Sequence, residues 1–224
     1  RCLGCERRLA SSRPPLFCAD CHQALRPLGS PLCTRCGLPF PAGADHLCGD
    51  CLAGRPAYDF ARALFAYQPP VPALILALKF AGQLTGLSSL GALAARSPFL
   101  TQFTEPDLVL PVPLHPARLR ARGFNQALLI ARACFPHWRS HLDTALLRRQ
   151  RSTRPQAQLS GRERRTNLAG VFALKDPERV RDRRVLLVDD VFTTGSTVQE
   201  CSRVLAAAGA ERIEVFTLAR SLAR

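Results

Sequence analysis

Two groups of residues in this chain have the types and spacing for chemistry. The first is Val185-Leu186-Leu187-Val188-Asp189-Asp190-Val191-Phe192-Thr193-Thr194-Gly195-Ser196-Thr197. Its four leading residues are all Val or Leu, a run too short for a helix, and they read as a buried parallel strand. The strand ends in two adjacent carboxylates, followed by a loop of hydroxyls around one glycine. Behind it, Val198, Cys201, Leu205 and Ala208 share one helical face, and Gly209 is the stop. Strand, loop and helix in that order set backbone N–H groups at a helix N-terminus, where the dipole favours an anion. Thr193, Thr194, Ser196 and Thr197 add hydroxyl donors, and Gly195 lets the backbone approach closely. The Gly-x-x-x-x-Gly-Lys pattern of a Walker loop is absent. Asp189 and Asp190 can accept hydrogen bonds from vicinal hydroxyls, directly or through magnesium, so the stretch suits a sugar phosphate. The plainer alternative is a buried strand and an N-capped helix that needs no ligand.

The second group is eight of the ten cysteines, in four Cys-x-x-Cys pairs: Cys2/Cys5, Cys18/Cys21, Cys33/Cys36 and Cys48/Cys51. A Cys-x-x-Cys turn offers two thiolates to one tetrahedral ion, and two such turns complete a structural zinc site. The first two pairs and the last two form a weak internal repeat, each half resembling one zinc ribbon. Disulfides would need an oxidising compartment, and a redox dithiol usually comes as one pair rather than four. Two zinc ions are therefore expected, bound sequentially rather than in a crossed arrangement. His22 and His46 lie beside the cysteines but are read as surface residues, since four thiolates per ion already suffice. Residues 1–52 carry little else that is apolar, so metal is expected to supply most of their folding energy, separately from the rest of the chain.

The chain has 224 residues and a formal charge of +14, carried almost wholly by arginine; only Lys79 and Lys175 are lysine. It stays strongly basic even with eight thiolates on two zinc ions, and that charge attracts polyanions. No apolar run approaches the roughly 18 residues of a membrane span. The opening Arg-Cys-Leu-Gly-Cys has no signal-peptide apolar region, which makes a cytoplasmic location the expectation.

Other elements must position these groups. Beyond a short linker at Gly54-Arg55-Pro56, strands are expected at 61–67, 107–113, 171–174 and 213–219. Helices are expected at 72–80, at 84–95, and through Ala127, Ile130, Ala131 and Cys134. In the 72–80 helix, Ala73, Leu76, Ala77 and Phe80 form the expected core face, and Lys79 points elsewhere. Cys134 and Cys201 read as small core hydrophobes. Between Pro113 and Gln126 lies a polar, proline-stiffened loop with Arg118, Arg120 and Arg122. His115 in it reads as solvent-exposed rather than catalytic. Residues 148–165 hold seven arginines and one acid, Glu163, with no aromatic. They read as a long loop over the site, or as a solvated basic surface. Strands alternating with helices, and a ligand loop at a strand's C-terminal end, indicate an open parallel α/β sheet.

Several separate stretches carry a family resemblance. The Val188-Asp189-Asp190 run and its loop are similar to the phosphoribosyl pyrophosphate motif of type I phosphoribosyltransferases. With it stand the four cysteine pairs, Leu78-Lys79-Phe80, Pro111-Val112-Pro113-Leu114 and Arg122-Gly123-Phe124-Asn125-Gln126. Further on come Thr153-x-x-Gln156-x-x-Leu159 and Arg164-x-x-Asn167. The whole resembles the competence ComF family. That resemblance implies a double zinc ribbon over 1–52 and an open parallel-sheet type I phosphoribosyltransferase fold over 57–224. It also implies phosphoribosyl pyrophosphate or a nucleotide as ligand, with magnesium. Asp189 and Asp190 would hold the ribose, as catalytic acids if the site turns over, and residues 193–197 the 5′-phosphate. Lys79, Arg118, Arg122, Gly123, Arg151 and Arg164 would serve the pyrophosphate and hood loops. Its implied role is DNA uptake in natural transformation, with single-stranded DNA and other competence proteins as partners. Phe124 and Phe192 are the loop aromatics available for base stacking. The alternatives are an active magnesium-dependent glycosyltransferase of nucleotide metabolism with an unidentified acceptor, and a sensor that binds without turnover.

Overall fold

The computed structural model describes residues 1–9, 16–80, 87–151 and 170–222. Its strands are β1 (Phe60–Ala66), β2 (Leu108–Pro111), β3 (Leu147–Arg149), β4 (Phe172–Leu174), β5 (Arg184–Phe192) and β6 (Arg212–Arg220). β1, β6, β5 and β2 form an all-parallel sheet in that order, and β3 and β4 pair antiparallel beside it. The helices are α1 (Ala19–Gln23), α2 (Gly49–Ala53), α3 (Val71–Phe80), α4 (Leu87–Ala95), α5 (Pro116–Arg122), α6 (Gln126–Cys134) and α7 (Ser196–Ala207).

The central strands are apolar in unbroken runs because both sheet faces are covered. Alternate residues of β5 serve two cores. Leu186 and Val188 join Leu74, Ile75, Leu90 and Ile130 from α3, α4 and α6 on one face. Val185 and Leu187 join Val198, Cys201 and Leu205 of α7 on the other. β5 runs past the acids because its pairing with β6 continues through Asp189↔Thr217 and Val191↔Ala219 to Phe192↔Arg220.

The cysteine-rich segment is not a separate body. Its two halves straddle the sheet edge at β1. Cys2, Leu16, Phe17 and Leu25 enter the α3/α4/α6 core, whereas Cys33, Cys36, Cys48 and Cys51 enter the α7 core. Between them the backbone covers the edge strand, which would otherwise present unpaired N–H and C=O groups. Leu28 N donates to Leu64 O at 2.9 Å, Ala66 N to Arg26 O at 2.9 Å and Ala61 N to Arg35 O at 2.7 Å. Leu28 and Leu32 are buried with Ala63, Ala66 and Phe99, each burial contributing roughly 2 kcal/mol. The apolar side chains of 1–52 pack on the sheet, which ties the segment to the rest of the chain beyond what metal alone would supply.

Two element expectations also change. The core face of α3 is Val71, Leu74, Ile75 and Leu78, while Leu76 is 57% exposed. Every α3 residue except Lys79 is apolar, so the sequence carries no phase. The stretch expected as a loop contains α5, which starts on Pro116 at its first turn and ends at Gly123 with φ 81°. Of the residues expected as a long loop, 148–149 lie in β3, and 152–165, including Arg164, lie outside the described residues.

Candidate functional site

The C-terminal end of β5, the loop to α7, α3, α5 and β3 converge on a cleft of about 300 Å³. Its floor is Asp189 and Asp190, both only 8% exposed. The strand continues past the acids and buries them, while both still line the cleft. Asp189 Oδ1 accepts from Asp190 N, and Asp190 Oδ1 from Val191 N, each at 2.9 Å. Burial, reinforced by the Asp190 charge, pushes the Asp189 carboxyl well above the usual carboxylate range, against a smaller opposite pull from Lys79. Lys79 Nζ lies 2.9 Å from Asp190 Oδ2, at ion-pair distance but out of line for a hydrogen bond. Lys79, expected off the core face of α3 and among the residues serving the site, points into this cleft.

Across from the acids stand cations. Arg118 and Arg122 of α5 and Arg149 of β3 line the same space. Burial, then the nearby Arg118 charge, lowers the Arg149 pKa. Arg122 Nη1 is braced on Gln126 Oε1 at 2.9 Å. The Arg122–Gln126 stretch forms a corner. Gly123 ends α5, and Asn125 both caps α6 through Ala127 N at 2.9 Å and donates to Val112 O at 3.0 Å. Gly123 therefore shapes the cleft without lining it. Arg151 is not among the lining residues, whereas Arg149, expected only as one arginine of the long loop over the site, is. Arg149 follows the buried Leu146–Leu147 pair with exposed Arg148 between them, and a three-residue strand is a signal too short to read from sequence. His115 N-caps α5, accepting from Ala117 N at 3.3 Å, and is half-buried.

Thr193, Gly195, Ser196 and Thr197 line the cleft at the start of α7. Gly195 is the N-cap residue with φ 75° and brings no side-chain cap of its own; Thr194 Oγ1 accepts from Ser196 N at a long 3.4 Å. A Cβ at Gly195 would lie 2.5 Å from the Phe192 ring. Thr194 turns towards a neighbouring cleft, its hydroxyl 2.7 Å from that of Ser196. Phe192 is buried, so it offers no stacking platform.

Magnesium fits this floor only in part. Two carboxylates supply hard oxygens, but among the described residues the three-ligand clusters able to hold a metal ion are all cysteine. That is the donor set of an ion brought in with a phosphate ligand and its own waters. The sulfurs fit zinc well. Cys2, Cys5, Cys18 and Cys21 form one group and Cys33, Cys36, Cys48 and Cys51 another, all four atoms of each within 4.8 Å of one another. Sulfurs around a zinc ion with bonds near 2.3 Å lie about 3.8 Å apart. The Cys5–Cys18 and Cys36–Cys48 separations are 3.6 and 3.7 Å. Burial pushes the Cys2 and Cys33 thiols up, but backbone N–H groups outweigh it and hold both at about 6. For Cys2 the donors include Cys18 N, and for Cys33 they are led by Cys36 N and Cys48 N. Such donors favour the ligating thiolate. His22 and His46 are exposed and outside both groups.

Comparison with known proteins agrees with this architecture. Residues 1–52 match the double zinc ribbon domain and residues 139–224 the phosphoribosyl transferase domain. The protein is thus a phosphoribosyltransferase-domain protein carrying a double zinc ribbon built for structural zinc. The chain is 36% identical to "Competence protein F" of Haemophilus influenzae, over 99% of this chain and 97% of that protein. It is 38% identical to "DNA utilization protein YhgH" of Escherichia coli K12, over 92% and 91%. "Competence protein ComFC" of Streptococcus pneumoniae is 27% identical over 91% and 87%. The chain belongs to the competence protein F/YhgH family. No helix among the described residues is long and apolar enough to cross a membrane.

Proposed function

We propose that this protein acts in DNA uptake or utilisation and that its cleft binds phosphoribosyl pyrophosphate, or a nucleotide, with magnesium. The observation behind the ligand is the opposition within one cleft: two buried carboxylates against Lys79, Arg118, Arg122 and Arg149, with a helix N-terminus between. Ribose hydroxyls suit the acids, the 5′-phosphate suits residues 193–197, and the pyrophosphate suits the arginines. Asp189 or Asp190 would hold magnesium together with the ligand, and the ion would supply positive charge against the pyrophosphate. The names of the relatives support the DNA role. A second reading, transfer of the ribosyl group to an acceptor, draws on the same arginines, placed to stabilise the departing pyrophosphate. Equilibrium titration of phosphoribosyl pyrophosphate with and without magnesium tests the site. Pyrophosphate release in the presence of each nucleobase tests turnover, and binding without release favours the sensing or DNA-handling role.

Single-stranded DNA is the proposed macromolecular partner, held mainly by charge, because the chain carries +14 and of the two loop aromatics Phe192 is buried and Phe124 half-buried. Binding measured by anisotropy should weaken with salt, with a log–log slope of about −0.7 per phosphate neutralised. Arg148→Ala, Arg151→Ala and Arg154→Ala together should flatten that slope. An unchanged slope clears these three of any DNA contact.

A further inference from the structure

We infer that Arg220 is a positioning residue for the phosphate loop, and that through it the second cysteine cluster governs how tightly residues 193–197 hold a phosphate. The inference rests on the phosphate reading proposed above. Arg220 ends β6 and is 7% exposed. Its Nη1 donates to the Cys36 carbonyl oxygen at 2.6 Å, and its Nη2 to Cys36 Sγ at 3.5 Å. Its guanidinium also lies over the Phe192 ring, 4.3 Å from the centroid. That ring fills the space where Gly195 lacks a Cβ. Tyr58 braces it from the side, edge-on at 6.3 Å. A continuous line of contact therefore runs from a zinc ligand through Arg220 and Phe192 to the N-cap of α7.

The physical logic is directional. A buried guanidinium is costly unless its donors are satisfied. Arg220 Nη1 and Nη2 both find their acceptors on Cys36, whose position a bound ion would fix and whose sulfur it would keep an acceptor. A loosened Cys36 turn leaves Arg220 without those acceptors and frees the Phe192 ring beneath Gly195. The loop's N–H groups then lose the preorganised aim that anion binding needs. Among the described residues the first cluster shows no such connection: Cys2 and its neighbours pack against the opposite face of the sheet.

Calorimetric titration of the zinc-loaded full chain with ribose 5-phosphate tests this, alongside amide hydrogen exchange at residues 193–197. Arg220→Lys keeps a cation but lacks the planar fork; it should weaken binding about tenfold and speed exchange in the loop. Cys51→Ser removes a ligand of the second ion without touching Arg220, and should give a similar loss. Combining the two should add little beyond either alone, because both cut one line of contact. Arg212→Met, which breaks a 2.7 Å pair with Glu214 at the other end of β6, should leave affinity unchanged. Should Cys51→Ser fail to fold, loop exchange in the wild type with and without a zinc chelator replaces it, and unchanged exchange overturns the inference. Wild-type affinity in Arg220→Lys, or two losses that add in full, also overturns it. A wild type that binds no ribose 5-phosphate overturns the phosphate reading itself; variants that bind as well as a binding wild type overturn this inference alone.

Discussion

The two cysteine clusters share a ligand spacing and differ in what surrounds them. In the first, Cys5 is exposed, Cys18 and Cys21 are half-buried, and the nearest ion pair, Arg7–Asp20, is 66% and 70% exposed. In the second, all four cysteines are buried and one of them holds a buried arginine from the far end of the chain. Ligand spacing alone therefore says that a metal binds, while the contacts of each turn say what the metal supports. One cluster fastens the segment to the helical face of the sheet, and the other backs the loop of the candidate site.

The largest test of this difference is metal loss one cluster at a time. Structural zinc contributes about 10–16 kcal/mol in isolated zinc-finger peptides, comparable to the whole stability of a domain. Cys51→Ser should therefore broaden and lower the calorimetric transition of the entire protein. Cys5→Ser, at an exposed ligand, should lower it less. Equal drops would erase the distinction between the clusters.

A smaller effect separates the loop from the α5 corner. Gly195→Ala meets both a left-handed backbone and the Phe192 ring, so it should destabilise by about 3 kcal/mol. Gly123 has φ 81° but nothing within 4 Å of an added Cβ. Gly123→Ala should then cost only about 1 kcal/mol in backbone strain. Denaturant midpoints of the two variants check this; similar values would mean that the Phe192 contact is soft.

The smallest effect concerns pH and lies away from both regions. Asp107 Oδ2 accepts from Arg184 N at 2.8 Å and Nε at 3.2 Å, and the Arg184 side chain leads in holding the Asp107 carboxyl below its usual range. A depressed carboxyl contributes stability above its unfolded pKa and loses it as pH falls through the folded value. Asp107→Asn should cost about 1 kcal/mol or less at neutral pH, given its partial exposure, and nothing once the carboxyl is protonated. A deficit that persists unchanged in acid would point to lost backbone hydrogen bonding instead of charge.

Much of this was legible in the sequence, for identifiable reasons. The β5 run, the acids, the hydroxyl loop and the cysteine pairs are local patterns, and each signals itself within about a dozen residues. α5 was not legible because it buries none of its residues, so Pro116–Arg122 has no apolar phase. α3 failed for the opposite reason, being apolar all round. Arg149 and Arg220 meet partners far away in sequence; Arg220 and Cys36 are 184 positions apart. No spacing rule reaches that distance. The burial of Asp189 and Asp190 followed from a strand extension that depends on pairing with β6, again a non-local cause.

The central claim is that the β5 acids and the α7 loop form one ribose-phosphate site. Its most direct test is a calorimetric titration of magnesium and phosphoribosyl pyrophosphate into the wild type and into Asp189→Asn/Asp190→Asn. The wild type should bind, and more tightly with magnesium. The double variant should keep its fold, lose the magnesium-dependent gain and bind about tenfold more weakly or worse, because an amide is a poor ligand for a hard cation. A wild type that binds neither this ligand nor ribose 5-phosphate, or a double variant that binds as tightly as wild type, would contradict it and leave the stretch as a capped helix behind a buried strand.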